Sequence, residues 1–67
     1  MSNQDQFEGK WKQMKGSIRE QFGKLTNDDL EQISGKRDKL IGKLRERYGD
    51  DRAEIERRLD EFEKKFP

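Results

Sequence analysis

Cysteine and histidine are both missing from this chain of 67 residues. Without cysteine there is no disulfide framework, no thiolate zinc site and no cysteine nucleophile. Without histidine the chain loses the commonest general base and the commonest metal ligand. Valine is absent, threonine occurs once and no stretch alternates with period two, so strands are not expected. No apolar run approaches the roughly 20 residues of a membrane-spanning helix. The polar start, Met1–Gln6, does not read as a signal peptide. A cytoplasmic protein with no membrane association is the expectation, and the missing cysteine fits a reducing compartment.

What the chain has in abundance is charge. Charged residues make up 46% of it and hydrophobic ones only 27%, and the sixteen Lys and Arg nearly balance the fifteen Asp and Glu, for a net charge of +1. That balance argues against a simple polycation made for nucleic acid or a membrane surface. The length allows one small domain, 1–67, with 1–5 expected to be a flexible N-terminus. Nearly every hydrophobic side chain must be buried if so small a chain is to fold.

Those side chains recur with the period of a helix. Phe7, Trp11, Met14, Ile18 and Phe22 follow at steps of four, three, four and four, one narrow stripe at about 100° per residue. Gly23 is placed to stop that helix in a left-handed conformation. Thr26 then serves as N-cap to a short helix carrying Leu30 and Ile33, with Asp28 and Asp29 in its first turn, where negative charge suits the helix dipole. Leu40, Ile41, Leu44 and Tyr48 form a third stripe ended by Gly49. Asp50 or Asp51 caps a fourth, with Ile55, Leu59, Phe62 and Phe66, and Pro67 closes the chain. The pattern predicts helices over 6–22, 27–34, 36–48 and 51–65. The expected core is Trp11, Met14, Ile18, Phe22, Leu25, Leu30, Ile33, Leu40, Leu44, Tyr48, Ile55, Leu59 and Phe62. Trp11 is the largest of these, and if fully buried its replacement by Ala costs about 3–5 kcal/mol.

The six glycines stand at 9, 16 and 23 and again at 35, 42 and 49, two sets with a spacing of seven and an offset of 26. Gly16-Ser-Ile-Arg-Glu-Gln-Phe-Gly23 matches Gly42-Lys-Leu-Arg-Glu-Arg-Tyr-Gly49 at both glycines, the Arg and the Glu, and pairs Ile with Leu and Phe with Tyr. This reads as a duplicated helix–Gly–helix unit. Two such hairpins, each with one apolar face, can bury that face against each other. Gly9, Gly16, Gly35 and Gly42 fall opposite the apolar stripes and lower helix stability by roughly 1 kcal/mol each relative to Ala. They are either a docking face for close contact with a partner backbone or phosphate, or tolerated surface glycines, and the lack of interleaved aromatic or basic residues favours the second.

Charge is sorted along the chain. Lys36, Arg37, Lys39, Lys43, Arg45 and Arg47 outnumber Asp38 and Glu46 over 36–48, a local +4, whereas 49–67 carries five basic and seven acidic residues. The basic third helix is a candidate contact for an anion or nucleic acid, with Ser34-Gly35-Lys36 at its start offering backbone N–H groups. That tripeptide is too short for a P-loop. The competing reading is a solvated face paired with the acidic fourth helix. The carboxylate pairs Asp28–Asp29 and Asp50–Asp51 stand at helix starts, where capping accounts for them. No nucleophile, base or metal set is assembled, so neither an enzyme nor a cofactor is expected.

Three blocks carry a family resemblance: Trp11-Lys-Gln-Met-Lys-Gly16; Gly23-Lys-Leu-Thr-Asn-Asp-Asp-Leu30; and Gly35-Lys-Arg-Asp-Lys-Leu-Ile-Gly42-Lys-Leu44 followed by Glu46-Arg-Tyr-Gly49. In order and spacing they resemble the CsbD-like family of small bacterial general stress-response proteins over about residues 7–49. Asn27 stands where many relatives carry Asp, and 50–67 is the least family-like stretch. The resemblance implies an all-α fold, a small four-helix domain of two short helical hairpins packed roughly orthogonally. It also implies a cytosolic role under stress, and it brings no catalytic residues. A hydrophilic, non-enzymatic protectant or accessory factor is the expected function. A nucleic-acid-binding module on the third helix and a protein-interaction module are the alternatives.

Overall fold

The computed structural model describes residues 3–66, with the side chain of residue 3 outside the description. The fold is all-α: α1 spans Asn3–Gln21, α2 Asn27–Ile33, α3 Arg37–Tyr48 and α4 Arg52–Lys65. Each predicted helix is present, with ends shifted by up to three residues. The largest shift is at the start of α1. Residues 3–5, expected to be a flexible N-terminus, are helical, and residues 1 and 2 lie outside the described ones.

Local chemistry sets most of the ends. Thr26 caps α2 in a reciprocal box: its hydroxyl accepts from the Asp29 N–H at 3.1 Å, and its own N–H donates to the Asp29 carboxylate at 3.0 Å. Asp51 caps α4 by accepting from the Glu54 N–H at 2.9 Å. Gly49 ends α3 at φ 75°, where a residue with a Cβ is strained. Gly23 does not play the matching part, since the described positive-φ residues are Ser34, Gly35 and Gly49. A turn ends α1 instead, in which the Leu25 N–H donates to the Phe22 carbonyl at 3.0 Å and Leu25 is carried into the core. Pro67 lies outside the described residues.

α3 is the common neighbour, packing on α2, α4 and α1. Its Leu40, Ile41 and Leu44 are fully buried. They meet Phe7, Met14, Ile18 and Phe22 of the first stripe, Leu25, Leu30 and Ile33 around α2, and Ile55 and Leu59 of α4 in one cluster. Three expected core residues, Trp11, Tyr48 and Phe62, are only partly buried and pack against the cluster's edge, while Phe7 and Ile41 take fully interior places. An indole or phenol at the rim of so small a core keeps its polar end near water. Phe22 and Tyr48, equivalent positions of the internal repeat, meet edge-to-face with ring centroids 6.2 Å apart.

Candidate functional site

The fold turns the sorted charge into a set of specific pairs. At its centre is Asp29, whose side chain is 2% exposed. Its two carboxylate oxygens accept from Nε and Nη2 of Arg47, each at 2.9 Å. Such a bidentate fork is the strong form of a charge-assisted hydrogen bond. The Arg47 hydrogen bonds, reinforced by the Thr26 backbone N–H, lower the Asp29 pKa to about 2 against the opposing effect of burial. The hydrogen bonds to Asp29 raise that of Arg47 in turn. Lys43 Nζ stands 3.9 Å from the same carboxylate and 3.4 Å from Glu46. One buried carboxylate thus starts α2 and ties it to α3.

Arg37 ties α3 to α4, donating to Asp60 at 2.8 Å and Glu63 at 2.9 Å. Arg52 of α4 reaches back to Asp38 at 3.1 Å. Along α4, Arg57 bonds Glu54 and Glu61, and the Arg57 hydrogen bonds lower the Glu54 pKa. The start of α3 lacks a side-chain cap from its own N-cap residue, Lys36. Gln4 of α1 substitutes: its oxygen accepts from the Arg37 N–H at 3.0 Å and its nitrogen donates to the Gly35 carbonyl at 2.9 Å.

Of the six cations singled out on the third helix, three therefore have partners within the chain: Arg37, Lys43 and Arg47. Lys36, Lys39 and Arg45 are exposed, with no ion pair among the described residues. At about 100° per residue Arg45 lies roughly 120° around α3 from Lys39 and roughly 180° from Lys36, so these three do not share one face. The glycines divide as well. A methyl group on Gly9, Gly16 or Gly42 would meet nothing within 4 Å. Gly35 does not lie on an exposed helix back as the spacing suggested. It is buried in the α2–α3 turn at φ 83°, where a Cβ would stand 3.4 Å from Glu8 Cγ and 3.5 Å from Trp11 Cβ. Two successive left-handed residues, Ser34 and Gly35, turn the chain there.

The Asp29–Arg47 fork and the Gln4 bridge are absent from the sequence reading. The Thr26-x-x-Asp29 spacing shows the cap, but nothing local shows that Arg47, eighteen positions on, lies over it. Among the described residues there is no group of three or more Asp or Glu that could hold a metal ion. No described helix is long and apolar enough to cross a membrane.

Comparison with known proteins places the chain. A family model described as CsbD-like matches residues 5–57, extending past the blocks that carried the resemblance and into α4. UPF0337 protein YjbJ of Escherichia coli O6:H1 (strain CFT073) is 51% identical over 63 residues, 94% of this chain and 91% of that protein. UPF0337 protein YjbJ of Salmonella typhimurium is 49% identical over 94% of this chain and 90% of its own length. UPF0337 protein pc0632 of Protochlamydia amoebophila is 43% identical over 94% of this chain and 96% of its own. No solved structure matches. With the family model over most of its length and relatives near half identity, the chain belongs to the CsbD-like family.

Proposed function

We propose that this protein is a non-enzymatic, cytoplasmic component of the bacterial general stress response, acting as a hydrophilic protectant or accessory factor. The observation that carries the reading is the use made of charge. Ion pairs knit α2, α3 and α4 together, while the remaining charges of both signs clothe the outside of a small core. A surface of mixed sign with a mean hydropathy of −1.48 holds water and resists aggregation. Membership of the CsbD-like family supports the biological setting.

Drying a labile client enzyme with and without the protein tests this. Retained client activity above that given by an equal mass of an inert protein of similar size is the expected result, and no added protection sinks the protectant reading. The nucleic-acid alternative rests on Lys36, Lys39 and Arg45, which lie around α3 and not along one stripe. A shift of DNA or RNA mobility at low salt, abolished when all three become Ala, would favour it. The docking alternative rests on Gly9, Gly16 and Gly42 alone, since Gly35 is covered by Trp11 and Glu8.

A further inference from the structure

Beside the last turns of α4 lies an open groove of about 600 Å³, bounded by the end of α1, the end of α3 and α4 itself. That volume falls in the range of small-molecule sites. Its floor is aromatic: Phe22 and Tyr48 meet edge-to-face at 6.2 Å, and Phe62 and Phe66 stack at 5.8 Å. Tyr48, Phe62 and Phe66 are each only partly buried, so the rings present apolar surface that no described residue covers.

The rim is cationic. Arg57, Arg58 and Lys65 line it against a single carboxylate, Glu61. Arg57 is committed to Glu54 and Glu61, with hydrogen bonds of 2.7 to 3.1 Å. Arg58 differs. It is paired with Glu54 and Asp50 as well, but more loosely, at 3.4 and 3.6 Å, and its side chain is 42% exposed. Lys65 is exposed and has no ion pair among the described residues. Positions 58, 62 and 65 share one face of α4 and Phe66 follows as its C-cap, so a guanidinium and an ammonium flank the two stacked phenyl rings.

We propose that this groove binds an anionic amphiphile, a medium-length acyl chain ending in a carboxylate. The acyl chain lies across the exposed edges of Tyr48, Phe62 and Phe66, and the carboxylate takes Lys65 together with Arg58, whose own ion pairs are the looser ones. The match is one of charge and polarity: aromatic floor to acyl chain, cationic rim to anionic head. It is independent of the protectant role.

The test is titration of the full chain with sodium decanoate below its micelle concentration, followed by nuclear magnetic resonance. Saturable shifts centred on Phe22, Tyr48, Phe62 and Phe66 are expected. Decyltrimethylammonium, with the same tail and the opposite charge, should produce none. The double variant Arg58→Gln with Lys65→Gln should weaken decanoate binding at least tenfold, whereas Lys12→Gln with Lys15→Gln, an equal change of net charge on α1, should not. Circular dichroism checks that each variant keeps its helices, and Lys65→Gln alone serves if the double variant does not. The proposal is overturned if decanoate causes no saturable shift, if the cationic amphiphile shifts the same resonances, or if both charge variants bind equally.

Discussion

Asp29 does two things at once. It closes the capping box of α2 and holds Arg47 of α3 in a two-bonded fork. Both favour its ionised form, and its pKa lies at about 2, below the roughly 3.9 of an unfolded aspartate. A carboxyl whose pKa is lower when folded contributes stability that is complete above the unfolded value. That contribution is lost as pH falls through the folded value. Thermal unfolding followed between pH ~4 and pH ~2 should show this loss, and Asp29→Asn should flatten the slope there while lowering the melting temperature at neutral pH. An unchanged slope in the variant would place the acid sensitivity elsewhere. Trp11 makes a second case at this scale. It is partly buried, lying against Phe7 at 5.6 Å between ring centroids and over Gly35. Trp11→Ala is therefore expected to cost about 2 kcal/mol by denaturant titration, less than the 3–5 kcal/mol of a fully interior aromatic.

Among the elements, the glycines separate by backbone and by space. Gly9, Gly16 and Gly42 sit within helices with open room for a methyl group, so Ala at each should stabilise by about 0.5–1 kcal/mol. The three sites are independent enough for the gains to add. The triple variant should raise the melting temperature by roughly 6–24 °C, at the 4–8 °C per kcal/mol typical of so small a domain. Gly49→Ala should do the reverse, by about 1–2 kcal/mol, because φ is 75° there. Circular dichroism melts read both, and a neutral triple variant would contradict the open-space argument. The seven-residue glycine spacing does not distinguish these cases. Gly49 is read correctly as a helix stop, whereas the same rule fails at Gly23, where a turn that brings Leu25 into the core takes over. Competition between a local cap and a nearby apolar anchor is settled by packing.

At the scale of the whole molecule, α3 is what the other helices share. Leu44 stands at the centre of its buried face, with no exposed surface. Leu44→Ala is expected to cost about 2–5 kcal/mol. A chain this short has a total stability on the order of 3–10 kcal/mol at 0.05–0.15 kcal/mol per residue. The variant should therefore melt over a broad, low-temperature range or not cooperatively at all. A melting curve that kept its sharpness would show that α3 is not the centre of the fold.

The four helices, their apolar stripes and the caps at Thr26, Asp51 and Gly49 could be read from the chain alone, because each depends on residues within one or two turns of one another. The CsbD-like identity was legible for the same reason, carried by short blocks in order. What only the tertiary structure decided are relations across the fold. It set Arg47 on Asp29, Arg37 on Asp60 and Glu63, and Gln4 on the start of α3. It buried Gly35 under Trp11 and left Tyr48, Phe62 and Phe66 at the rim of the core. Helical period tells which way a side chain faces on its own helix but not which helix stands opposite. Packing therefore divided the cations of the basic third helix into those with an ion-pair partner and those with none among the described residues.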